Sequence, residues 1–208
     1  SIVKNCLFDT ICHEHLEYYS TKVIINLMKN HDLRVFDIKK NKTNGGSMRY
    51  LICHLNSKFK TNKKKINFIL NQENIIRLGN RETFIKFKKK IDNTKLKTKL
   101  LLNKIIEKNN IVHGYGASTK GNVLLQYFKL DGKTINCIAD RNPFKWGKYT
   151  PGTNIKIISE KTSRLQKPIL YIVLPWHFKN EIIKREKIFL KNKGSLFFPL
   201  PKCEIIKK

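Results

Sequence analysis

The spacing of apolar and polar positions divides the chain into three segments. In residues 1–57, Val23, Ile24, Leu27 and Met28 recur at helical spacing in TKVIINLMKNHD, behind Ser20 as N-cap. LRVFDIKK and SMRYLICHLN then read as two strands joined by the turn-rich NKTNGG. One helix and one hairpin bury too little surface to stand as a domain, so this segment is expected to be the end of something larger. Residues 58–110 are lysine-rich and mostly helical. In RETFIKFKKKIDNTKLKTKLLLNKIIEKNN, Phe84, Phe87, Ile91, Leu100, Leu101, Ile105 and Ile106 favour one face, which predicts an amphipathic connector.

The pattern changes again in residues 111–208. IVHGYG reads as a strand and its turn, GNVLLQYFKL as a helix and TINCIAD as a second strand. After the irregular RNPFKWGKYTPGTNIKI come strand ILYIVLP, helix KNEIIKREKIFLKN and strand SLFFPL. Strands alternating with helices predict an α/β fold with a doubly wound parallel sheet. Ligands of such sheets lie at the carboxyl ends of the strands, where GYGASTKGN (114–122) falls.

That turn obeys neither common phosphate grammar. The dinucleotide fingerprint G-x-G-x-x-G needs its third glycine earlier than Gly121, and the P-loop needs Gly-Lys-Ser/Thr where Gly121 is followed by Asn122. At a strand-to-helix junction its N–H groups still make an anion site. Gly114 and Gly116 allow close approach, Ser118 and Thr119 offer hydroxyls, and Lys120 supplies a charge. Asp140, at the end of the next strand, stands where an acid commonly takes a ribose hydroxyl. A diphosphate nucleotide fits these residues; a glycine-rich turn without a ligand is the alternative.

CHEHLEYY gathers His13, Glu14, His15, Glu17, Tyr18 and Tyr19. H-E-x-x-H would need a histidine where Glu17 stands, so the zincin motif is excluded. In an extended segment His13 and His15 would share a side, but no third ligand is visible and no metal site is expected. Imidazole suits proton removal at neutral pH; structural histidines in a loop are the alternative.

Composition adds less. Of 208 residues, 43 are Lys or Arg and 15 Asp or Glu, for a net charge of +28, which keeps nucleic-acid binding in view. The lysines spread through the whole chain beside abundant Asn and Ile, residues of A/T-rich codons, so genome composition accounts for the same charge. The 5 cysteines, Cys6, Cys12, Cys53, Cys137 and Cys203, form no C-x-x-C, which indicates neither a zinc module nor a disulfide framework and fits a reduced, cytoplasmic setting. ILYIVLPW and SLFFPL are too short to span a bilayer, and no membrane partner is expected. A start at Ser1 is expected of a processed chain or a fragment.

FDTICHEHLEYYS, NGGSMRY, GYGASTKGN, DRNPFKWGKYTPGT and LPWHF, in that order, resemble the sugar C-methyltransferases that act on nucleotide-linked keto sugars with S-adenosylmethionine as methyl donor. The resemblance covers nearly the whole chain apart from the lysine-rich connector. It implies that 1–57 is the end of a class I methyltransferase domain, 58–110 a helical connector and 111–208 a Rossmann-like C-terminal domain. Most of the donor site, and any zinc, would then belong to an upstream half. The implied chemistry is enolate formation beside the ketone, followed by displacement of the methyl group from the sulfonium. His15 is implied as the base, with Glu14 and His13 positioning the sugar or polarising its oxygens. Many members carry tyrosine where this chain has Cys12, so no phenol role is carried over. The turn (Gly114, Tyr115, Gly116, Ser118, Lys120) is implied to hold the pyrophosphate, with a thymidine diphosphate sugar expected. Asn122, Asp140, Arg141 and Trp176 are implied near the nucleotide. Lys145, Gly147 and Tyr149 share a motif without an assigned role. Two alternatives remain: a nucleotide-sugar binding module without catalysis, and a basic nucleic-acid-binding protein.

Overall fold

The computed structural model describes residues 2–41 and 43–207. They divide into two compact units, one built on residues 15–88 and the other on residues 4–14 together with those from 89 onward. A short helix, α1 (Ile2–Asn5), opens the described chain.

In the first unit the Ser20 side chain caps α2 (Thr21–Lys29) by accepting the Val23 N–H at 3.3 Å, as expected from the sequence. Glu73 completes that cap from a distance: Oε1 accepts the Thr21 N–H at 2.7 Å and Oε2 the Lys22 N–H at 3.3 Å. A carboxylate there satisfies orphan donors and complements the positive end of the helix. β1 (Leu33–Asn41) and β2 (Ser47–His54) pair antiparallel, with Leu33 opposite His54 and Asn41 opposite Ser47. Lys42, in the connecting NKTNGG, lies outside the described residues. The register shifts between Val35 and Asp37, and this bulge lets Val35 and Ile38 point to one face despite their odd spacing. They pack with Ile66 and Ile69, one turn apart on α3 (Lys63–Ile75), over Ile24, Met28 and Tyr50.

The long helix α4 (Arg81–Ile106) corrects the expected stripe. Ile91, Thr98 and Leu102 are its buried positions, while Phe84 and Leu100 are exposed. Buried Thr98 keeps its hydroxyl satisfied by donating to the Thr94 carbonyl at 2.8 Å, which is why a polar residue holds a core position that apolar spacing missed.

The second unit is the expected α/β arrangement. After α4 its strands and helices are, in order, β3 (Val112–Tyr115), α5 (Thr119–Phe128), β4 (Cys137–Asp140), β5 (Ile157–Ser159), α6 (Glu160–Leu165), β6 (Leu170–Val173), α7 (Lys179–Arg185), α8 (Lys187–Lys191), β7 (Ser195–Phe198) and β8 (Glu204–Ile206). Among the described residues the sheet runs β5-β4-β3-β6-β7-β8, all parallel except β8. The chain leaves β3 toward β4 on one side and returns to β6 on the other, so the order reverses at β3. β3, β4, β6 and β7 are buried along their length, as strands covered on both faces must be.

Three short elements differ from expectation. β5 and β8, three residues each, are too short to show a period of two. KNEIIKREKIFLKN, expected as one helix, is two. The break falls at Glu186 (φ −92°, ψ 23°), which turns its carboxylate inward to become 1% exposed and pair with Arg164.

Candidate functional site

The turn after β3 is shaped by packing before any ligand is considered. Gly116 has φ +82°, and a Cβ there would stand 2.6 Å from Pro175 Cγ. At Gly121 a Cβ would meet Leu174 Cβ at 2.9 Å, so the late third glycine serves helix-to-strand packing. Gly114 lies inside β3 with its Cα face against Ile138, and its demand is likewise internal. Ser118 caps α5, its Oγ accepting the Gly121 N–H at 3.1 Å.

Asp140, 8% exposed at the end of β4, ties this turn to the next loop. Its Oδ2 accepts the Ala117 N–H at 2.7 Å and its Oδ1 the Asn142 N–H at 2.8 Å. Lys145 returns from DRNPFK to donate to the Ala117 carbonyl at 2.6 Å, with its ammonium 3.6 Å from Asp140 Oδ2. The Trp146 indole N–H donates to the Asp140 carbonyl at 2.8 Å. Two polar groups from one loop, the Asp140 carboxylate and the Lys145 ammonium, thus hold the Ala117 backbone of the other.

A cavity of about 300 Å³ opens beside them at the carboxyl ends of β3 and β4. Tyr115, Gly116, Ser118, Asp140 and Arg141, all singled out in the sequence, line it. So do Lys145, Glu160 and Arg185, whose place there sequence reasoning missed. For Lys145 the available signal was its spacing from Asp140 across the Asn142-Pro143 turn; for Glu160 and Arg185 no local signal exists. These last two belong to a network around the buried Tyr115 ring. The phenol lies 2.7 Å from Glu160 Oε1 and 2.9 Å from Glu186 Oε1, and accepts from Arg185 Nε at 2.9 Å. Burial, then the two carboxylates, push its pKa well above the ordinary phenol value. Arg164 donates to Glu160 at 3.2 Å and to Glu186, which balances the charge.

Of the other expected residues, His15 belongs to the first unit and the rest to the second. Lys120 and Asn122 are half-buried on α5 and do not line the cavity. Trp176 is buried, and its indole N–H donates to Asp9 Oδ2 at 2.8 Å rather than facing the cavity. Around the triplet the chain is not extended: Cys12 bends and His13-Glu14 turn, so the shared side expected for His13 and His15 in an extended segment does not apply. All three triplet side chains are exposed. Glu14 is nevertheless held, its Oε1 accepting from the Thr119 hydroxyl at 3.1 Å in the first turn of α5. His15 makes an edge-on ring contact with Tyr18 at 6.4 Å. Among the described residues no group of three or more His, Cys, Asp or Glu is placed to hold a metal ion, and no helix is long and apolar enough to cross a membrane.

Comparison with known proteins places this geometry. Residues 42–201 match the family model described as the C-methyltransferase C-terminal domain. The chain belongs to that family. It is also 30% identical over 205 residues to the C-methyltransferase NovU of Streptomyces niveus, an alignment covering 99% of this chain and 49% of the relative. The chain therefore spans about half the length of that relative. The family match runs through the Gly-rich turn, the Asp140 loop and the LPWHF turn, three of the segments that line the cavity.

Proposed function

We propose that this chain provides the nucleotide-sugar site and the proton-removing residues of a C-methyltransferase acting on a nucleotide-linked keto sugar, with thymidine diphosphate the expected nucleotide. The observation that carries the reading is the Glu14–Thr119 hydrogen bond. It puts the central carboxylate of His13-Glu14-His15 on the helix whose first turn follows the Gly-rich loop. Two motifs 105 residues apart in sequence meet at one helix end.

In this account the pyrophosphate lies along Gly116 to Ser118, where the positive end of α5, Arg141 and Lys145 offset its charge. The cavity volume suits the phosphates and ribose of such a ligand, with the sugar extending beyond it. His15 takes the proton from the carbon beside the ketone, and Glu14 and His13 orient the sugar oxygens. S-adenosylmethionine is the donor expected of the family resemblance; the cavity, lined by Asp140, Glu160 and Glu181 as well as Arg141, Lys145 and Arg185, is not assigned to it.

Solvent deuterium incorporation at the sugar carbon next to the ketone tests the reading in the complete protein. Incorporation that disappears in His15→Asn while nucleotide affinity persists supports it. Incorporation unchanged in His15→Asn removes His15 as the base. Nucleotide binding with no incorporation in the unsubstituted protein would instead favour a binding module without catalysis.

A further inference from the structure

Upstream of the triplet, the FDT of FDTICHEH forms a 3-10 turn, Phe8–Thr10, laid on α5. Phe8 stacks on Phe128 with ring centroids 5.5 Å apart and tilts against Tyr127 at 5.6 Å. The next residue, Asp9, is 1% exposed. Its Oδ2 accepts the Trp176 indole N–H at 2.8 Å, a bond spanning 167 residues. Burial pushes the Asp9 carboxyl above the usual carboxylate range, against the opposing pull of the Trp176 bond and the Lys120 charge.

A buried carboxylate is costly, and an apolar side chain beside Phe8 would pack without that desolvation penalty. What the carboxylate adds is direction. It fixes Trp176, whose neighbour Pro175 lines the cavity and abuts Gly116. At the other end of the same segment Glu14 is bonded to Thr119. Residues 8–14 are therefore fastened at two points, to the LPWHF turn through Trp176 and to the start of α5 through Thr119, the first of them remote from the triplet.

We propose that Asp9 is a positioning residue for proton removal: acting through Trp176, it anchors residues 8–14 so that His13 and Glu14 are held at the start of α5. The role rests on the reading of the triplet given above; the anchor itself does not.

The test compares Asp9→Ala, Asp9→Asn, Trp176→Phe and the Asp9→Ala/Trp176→Phe pair in the complete protein. One readout, amide hydrogen exchange across residues 8–14 without ligand, is independent of any substrate. The other is the rate of deuterium incorporation into the keto sugar, with thymidine diphosphate affinity measured alongside. Asp9→Ala and Trp176→Phe are each expected to speed amide exchange and slow incorporation by about tenfold, the loss of one buried hydrogen bond. Diphosphate affinity should stay within about twofold, and the pair should be no slower than either single variant, as for residues acting as one unit. Asp9→Asn, whose amide oxygen still accepts the indole N–H, should restore both rates to within about threefold. Unchanged exchange of residues 8–14 in folded Asp9→Ala overturns the anchor. Loosened residues 8–14 with undiminished incorporation overturn the positioning role. A parallel loss of diphosphate affinity also overturns it, by assigning Asp9 to the folding of the turn. No incorporation in the unsubstituted protein would remove the enzymatic reading and this role with it, and amide exchange would still decide the anchor.

Discussion

The Gly-rich turn and the His-Glu-His segment are both rich in polar groups, yet they are built in opposite ways. Around the turn, Ala117, Asp140, Asn142 and Lys145 hold one another through four contacts of 2.6 to 3.6 Å. Residues 11–19 are instead exposed apart from half-buried Cys12, and Leu16 is 90% exposed. The turn is shaped before a ligand arrives, which lowers the ordering cost of binding. The triplet relies on Glu14 and on Asp9 upstream for its placement. The turn can be held rigidly without the neighbouring triplet being so.

The largest expected effect lies on the exposed side. His15→Asn should slow deuterium incorporation on the order of 1,000-fold, within the usual contribution of a general base, while leaving the melting temperature unchanged. A matching loss of stability would show that His15 is structural and erase the contrast. Next comes Asp140→Ala on the ordered side. It strands two backbone N–H groups and the Lys145 ammonium, so it should cost about 3 kcal/mol of unfolding free energy in urea titrations. A cost near zero would mean the turn holds its shape without that carboxylate.

Two lysines sharpen the contrast within the turn. Lys145 lines the cavity and Lys120 does not. Lys145→Ala should weaken thymidine diphosphate binding about tenfold in calorimetry, the value of one charge-assisted hydrogen bond. Lys120→Ala should weaken it less; the reverse order would move the phosphate site along the helix.

The smallest effect concerns the scaffold under the turn. His113 in β3 is buried, with Nδ1 2.8 Å from Ser163 Oγ, and burial lowers its pKa to about 4. The unfolded chain takes up this proton from about pH 6.5 downward and the folded chain only near pH 4, so His113 makes stability fall as pH drops through that window. His113→Asn should flatten the slope in urea titrations at several pH values. An unchanged slope would place its origin in other groups.

Much of this was readable along the chain because it is local. Ser20 and Ser118 cap helices three residues from their targets, and Asp140 ends its strand where a nucleotide-binding fold places an acid. What the sequence hid are contacts across long separations. Trp176 finds Asp9 across 167 residues, and Tyr115 meets Glu186 across 71. The family resemblance implied Trp176 near the nucleotide, and its hydrogen bond to Asp9 had no local signal. The break at Glu186 was hidden for the same reason. Its helical pattern is uninterrupted, and only Arg164 and the buried Tyr115 turn it inward.

Titrating thymidine diphosphate into the isotope-labelled protein and following the backbone amide resonances tests whether a nucleoside diphosphate binds at the Gly-rich turn. Saturable shifts are expected, concentrated at Gly116, Ala117, Ser118 and Arg141, with little change in β1 and β2. Saturable binding whose shifts avoid the turn would contradict binding there, as would the absence of any shift at millimolar ligand.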